Sequence, residues 1–197
     1  MHTHFPLDAV AAAAQQHPAA ISGASFAERL AYTCRHSRFI DQLVKARPEI
    51  TSWLEVRDGR PVSASEMRQW LESEFSTEAA HDDGGLQSAL RRLRQRVMAH
   101  LALRDLADGA SLAEIVETMT SLADVTTLFA LDRLHDDLAT RYGQPQSSSG
   151  KPLHLAIIGM GKLGGRELNV SSDVDYIFVY PEDGETASEL LRKADAA

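Results

Sequence analysis

The amino-acid sequence predicts an all-helical N-terminal domain over residues 1–145, followed by the opening of an α/β or α+β domain over residues 151–197. Three observations carry that reading. Leu86, Leu90, Leu93, Val97 and Leu101 recur at helical spacing, and a second stripe runs through Leu112, Ile115, Val116, Met119 and Leu122. Residues 146–150, Gln-Ser-Ser-Ser-Gly, follow the helix-ending run Tyr142-Gly143-Gln144-Pro145 and have the composition of a flexible connector. Beyond them, residues 153–158 and 176–180 are two apolar runs of strand length, rich in β-formers.

Taken in order, residues 1–24 hold an alanine run and Pro18, the pattern of a frayed or short helix with no function attached. Ser25-Phe26-Ala27-Glu28 has the capping-box form, so a helix is expected to start there and run toward Arg47, stopping before Pro48. Trp53, Leu54 and Val56 lead to the turn signal Asp58-Gly59-Arg60-Pro61. A second capping box, Ser63 to Glu66, opens a helix whose apolar side is Met67, Trp70 and Leu71. Trp53 and Trp70 read as packing residues rather than a stacking platform for a base.

His81-Asp82-Asp83-Gly84-Gly85 reads as a solvated loop rather than a metal site, because no partner ligand recurs at helical spacing. Arg91, Arg92, Arg94 and Arg96 are interleaved with the first stripe, but scatter around the remaining circumference and read as a solvated charged face. Gly109 interrupts the pattern, and Ser111 to Glu114 caps the next helix. Its apolar face then moves to Leu131, Leu134 and Leu138, which predicts a bend or burial against two neighbours.

Composition excludes several classes. A formal charge of −8 disfavours a nucleic-acid partner, whose affinity rests on Lys and Arg. Cys34 is the only cysteine, so neither an intramolecular disulfide nor a cysteine-based zinc site is available. No apolar run approaches membrane-spanning length and no leader pattern opens the chain, which makes cytoplasmic location the expectation.

Chemistry concentrates in residues 151–181, KPLHLAIIGMGKLGGRELNVSSDVDYIFVYP. Asp173 and Asp175 stand two apart, and in a strand such side chains share a face, here beside Ile177 and Val179. Two carboxylates that close repel unless a cation lies between them, and Mg²⁺ is commonly held by one or two carboxylates plus phosphate oxygens. Gly159, Gly161, Gly164 and Gly165 allow backbone N–H groups to approach an anion. A glycine pair, a short spacer and a D-x-D at the head of a strand is the pattern of a nucleotidyltransferase.

Three other readings compete. Gly159-x-Gly161-x-x-Gly164 also fits a dinucleotide fingerprint, although residues 162–172 make a poor crossover helix. A P-loop is excluded because Gly161-Lys162 is followed by Leu163 instead of Ser or Thr. The structural alternative is that Asp173 and Asp175 merely solvate the entry to a strand.

The run GMGKLGGRELNVSSDVDYIF followed by PEDG resembles the glutamine synthetase adenylyltransferase/adenylyl-removing enzyme family, within the polymerase-β-like nucleotidyltransferase superfamily. The helical stretch LRRLRQRVMAHLALRDLADGASLAEIVETMTSLAD looks like the same family, and the likeness spans residues 25 to 185. The resemblance implies an α+β chain whose mixed-sheet nucleotidyltransferase domain has only its opening strands before Ala197. It implies that Asp173 and Asp175 hold two Mg²⁺ ions, that Gly164 and Gly165 form the phosphate-binding turn, and that Ser172 and Lys162 contact nucleotide phosphate.

The superfamily's third carboxylate comes from a later strand, so the chain alone is expected to be inactive. The implied activity is the adenylyl-removing half, phosphorolysis of AMP-tyrosine on glutamine synthetase to give ADP, with ATP or ADP as nucleotide. The implied partners are glutamine synthetase and the PII signal protein. A catalytically silent docking module for either partner remains the alternative of another class.

Overall fold

The Ser25 capping box forms as the spacing predicts: Ser25 N–H donates to the Glu28 carboxylate at 2.8 Å, and Glu28 N–H donates to Ser25 Oγ at 3.4 Å. In the computed structural model, which describes residues 21, 23–77 and 83–189, this cap opens α1, Phe26–His36. The expected run to Arg47 is instead two helices, because Ser37 is extended and its hydroxyl accepts from Ile40 N–H, capping α2, Arg38–Ala46. A serine offers the backbone this local partner wherever a helix is weak. Pro48 ends α2 and also begins α3, Pro48–Arg57, where its missing N–H costs nothing.

Asp58 closes α3 in the left-handed region (φ 45°), its N–H donating to the Leu54 and Glu55 carbonyls. The Ser63–Glu66 box forms in both directions and opens α4, Ala64–Thr77. The helix after it, α5, spans Asp83–Leu106, so Gly84 and Gly85, expected in a loop, are helical. Residues 81 and 82 of that expected loop, and residues 1–20, lie outside the described residues.

α5 is the spine of the first unit: α1, α2, α3 and α4 all pack against it. Its stripe is buried as the periodicity predicts, at Leu86, Leu93, Val97 and Leu101. Ile40, Leu43, Ile50 and Leu54 meet Ala99, Leu103 and Ala107 in one cluster, with Cys34 packed at its edge. Met67 and Leu71 are buried on α4.

Polar residues secure the turn after α5. Arg29 reaches Asp108 at 2.7 Å and Asp58 at 3.0 Å, while Arg104 grips Glu114 with two bonds of 2.7 and 2.8 Å. Glu114 N–H donates to the Ser111 cap, but its carboxylate is taken by Arg104, so half of the predicted box is replaced by a bidentate ion pair.

α6, Leu112–Tyr142, is one continuous helix of 31 residues. The chain divides into two compact units, Met1–Leu122 and Ala123–Ala197, the division falling within this helix. Residues 146–150, read from composition as a flexible connector, are bonded within the second unit: Gln146 and Glu185 exchange two backbone hydrogen bonds of 3.0 Å, and buried Ser147 accepts from the Ser149 and Lys151 amides. Leu134 and Leu138, expected on a buried face, are exposed.

The second unit holds a two-stranded antiparallel sheet of β1, Ala156–Gly159, and β2, Tyr176–Val179, joined through a four-residue helical turn, α7, Gly161–Gly164. With the helical part before it, this is an α+β chain. The first strand begins later than the apolar run suggests, because Leu153 N–H donates to the Pro145 carbonyl instead of entering the ladder. No described helix is long and apolar enough to cross a membrane.

Candidate functional site

The ribbon brings the two ends of the glycine turn together. Ala156 pairs with Val179, Ile157 with Phe178, Ile158 with Ile177 and Gly159 with Tyr176. One further bond, from Met160 N–H to the Asp175 carbonyl at 2.9 Å, extends the ladder past its last pair and holds Asp175 beside the start of α7. A dinucleotide unit requires parallel strands joined by a full crossover helix. Antiparallel pairing, with only a four-residue helix in the connection between the strands, overturns that alternative.

The glycines act through close packing. A Cβ on Gly164 would stand 2.5 Å from the Gly159 carbonyl oxygen, and one on Gly159 would stand 2.9 Å from Leu163. Leu163 and Leu168 are buried beneath the turn, and Arg166 closes it with φ 56°, reaching Asp124 at 3.3 Å. Gly164 N–H donates to the Met160 carbonyl and Gly165 N–H to the Gly161 carbonyl, so these two amides are occupied within the turn. The amides of Gly161, Lys162 and Leu163 have no backbone acceptor among the described residues.

Asn169, which the sequence reading passed over, organises the approach to β2. Its Oδ1 accepts from Ser171 N–H and Oγ, both at 3.1 Å, and from Ser172 Oγ at 2.8 Å. The available signal was the local Asn-x-Ser-Ser spacing, which favours a side-chain turn. Lys162 Nζ donates to Ser172 Oγ at 3.4 Å across the loop, uniting two residues singled out from the sequence.

Asp173 and Asp175 are both exposed and lie in the irregular residues before β2 instead of within it. Only Asp175 is tied to the ladder, through its carbonyl, so strand alternation by itself does not govern where the pair faces. No group of three or more His, Cys, Asp or Glu suited to a metal occurs among the described residues. The donor set fits magnesium in its usual form: two carboxylates leave most of the coordination sphere to water and substrate oxygens. Lys162, Ser172 and the open amides of the turn add cationic and hydrogen-bonding partners for a phosphate.

A family model described as glutamate-ammonia ligase adenylyltransferase matches residues 27–197. The chain is 43% identical over 174 residues to a bifunctional glutamine synthetase adenylyltransferase/adenylyl-removing enzyme of Aromatoleum aromaticum, a match covering 88% of this chain and 18% of that protein. Proteins of the same description from Nitrosomonas eutropha and Burkholderia mallei are 44% and 40% identical, each match covering 77% of this chain and 16% of the relative. The chain thus spans less than a fifth of the length of these relatives.

Proposed function

We propose, from the premise that this chain belongs to the glutamate-ammonia ligase adenylyltransferase family, that its ribbon and glycine turn handle the phosphates in removal of AMP from a tyrosine of glutamine synthetase. The direction follows from the resemblance, in which a helical region precedes the first of two opposed nucleotidyltransferase domains. In phosphorolysis an oxygen of inorganic phosphate forms a bond to the AMP phosphorus, the bond from that phosphorus to the tyrosine oxygen breaks, and ADP and free tyrosine result.

Asp173 and Asp175 are the proposed magnesium ligands, and magnesium, when bound, neutralises charge on the phosphoryl oxygens. Lys162 and Ser172 hold phosphate oxygens, and Gly164, which lets the turn lie close against β1, forms the phosphate-binding turn together with Gly165. Glutamine synthetase is the proposed protein substrate, PII the proposed regulatory partner, and the cytoplasm the proposed location. The observation that supports this reading most is the Met160 to Asp175 bond, which ties the acidic pair to the glycine turn.

The test is ADP release from adenylylated glutamine synthetase, phosphate and Mg²⁺ by a protein of the relatives' length carrying these residues. Asp173→Asn and Asp175→Asn are each expected to lower release by about 100-fold or more, beyond the ~10–100-fold of losing a supporting group. Release by the 197-residue chain alone is expected to be negligible. A docking module is the second reading, favoured by the exposed Leu134 and Leu138 on α6. Unchanged release in both variants, with binding to glutamine synthetase retained, would select it.

A further inference from the structure

Within the helical unit, α3, α4 and α5 enclose a cleft of about 280 Å³ that the ribbon chemistry does not use. Trp53, Trp70, Met67 and Val97 give it apolar walls, and Arg57 and Arg96 bring two guanidinium groups to it. The two arginines are in different situations. Arg57 donates to the Glu66 carboxylate at 3.2 Å and to the carbonyls of Arg60 and Pro61, so its donors are engaged.

Arg96 is stacked: its guanidinium carbon lies 4.2 Å from the Trp70 ring centre and 5.4 Å from that of Trp53. Among the described residues no hydrogen bond or ion pair reaches it. Glu74 and Glu49 act on it only through space, and each is paired with another arginine, Arg92 at 2.9 Å and Arg47 at 3.6 Å. The arginine that sequence reading placed on a solvated face is half-buried beside two indoles.

With its guanidinium carbon over both rings, Arg96 keeps N–H groups that no acceptor takes among the described residues, and a guanidinium fork matches a carboxylate with two parallel bonds. Burial pulls the Arg96 pKa down, the direction that an anionic partner would reverse. The cleft is near the lower end of the size of ligand pockets, so the occupant is small. Glu66 on its rim, already held by Arg57, repels a second negative group.

We propose that this cleft binds a small monocarboxylate with a flat apolar body, its carboxylate on the in-plane N–H groups of Arg96 and its body against Trp53 and Trp70. The site is independent of the ribbon reading.

The chain contains only two tryptophans, and both line this cleft, so intrinsic tryptophan emission reports on it directly. Titration of the full chain with benzoate at constant ionic strength is expected to change emission saturably, with benzamide, the uncharged isostere, binding about tenfold or more weakly. Arg96→Gln, checked for native far-UV circular dichroism, is expected to remove the preference for benzoate. A response to benzoate that is absent, non-saturating or equalled by benzamide overturns the proposal on the unmodified chain, whatever the stability of the variant.

Discussion

The helical unit and the ribbon unit use similar apolar residues to opposite effect. Along α5, Leu86, Leu93, Val97 and Leu101 are each no more than 6% exposed, because four helices converge on that one. Along β2, Ile177, Phe178 and Val179 are 46%, 60% and 40% exposed, although their β-forming character is what makes the strand. α6 repeats the contrast within one helix: Ile115, Met119 and Leu122 are buried, while Leu134 and Leu138 lie open. Spacing along the chain specifies the type of element and the side of it that is apolar. Burial requires a second surface, and a two-stranded ribbon offers few.

The contrast is tested most directly by paired truncations. Leu54→Ala, in the cluster packed on α5, is expected to cost about 2–5 kcal/mol of unfolding free energy in urea, whereas Phe178→Ala stays within about 0.5 kcal/mol. Equal losses would show that the ribbon is packed as tightly as the helical core.

Acid should separate the units next. His100 is buried against Trp53, and its Nε2 has no hydrogen-bond partner among the described residues. Burial first, then the nearby Arg57 and Arg104, lowers its pKa from 6.5 to about 4. The unfolded chain therefore binds a proton that the folded chain refuses between these values. Stability is fully present above pH 6.5 and falls toward pH 4, by about 3 kcal/mol at most from this group.

Glu66, held down to about 2 chiefly by the Ser63 N–H, adds its loss only below 4.5. Denaturation between pH 7 and 4.5 thus isolates His100, and His100→Phe should flatten that part of the profile. An unaltered slope in the variant would assign the effect elsewhere.

The smallest expected effect sharpens the account of the glycine turn. Gly164→Ala forces a methyl against the Gly159 carbonyl and should cost about 1–3 kcal/mol, read as faster amide exchange in β1 and β2. Gly165→Ala has its nearest neighbours at 3.4–3.5 Å and an ordinary right-handed backbone, so exchange should be little changed. Equal behaviour of the two variants would mean that the close approach at Gly164 is not what holds the turn against β1.

Short-range rules read well from this sequence. The Ser25 and Ser63 caps, the α5 stripe, the left-handed turn at Asp58 and the existence of both strands follow from spacings of two to four residues, because those features depend on local backbone geometry. The block around the glycine turn and Asp173-Val174-Asp175 was equally legible, and it identified the family. Composition misled at Gln-Ser-Ser-Ser-Gly, where a segment suited to a linker is bonded to Glu185, a partner far along the chain that no local rule reveals.

The sequence by itself determined most helix starts, that two strands flank the glycine turn, which side of α5 is apolar, and where two carboxylates stand beside that turn. Only the tertiary structure decided that the strands run antiparallel, that the Gly164 and Gly165 amides are occupied within the turn, that Leu134 and Leu138 stay uncovered, and that Arg96 leaves the solvated face to lie beside two tryptophans. The reason is range. A periodicity of two or 3.6 residues records how a side chain leaves its own backbone, whereas pairing direction and burial depend on which distant segment arrives opposite.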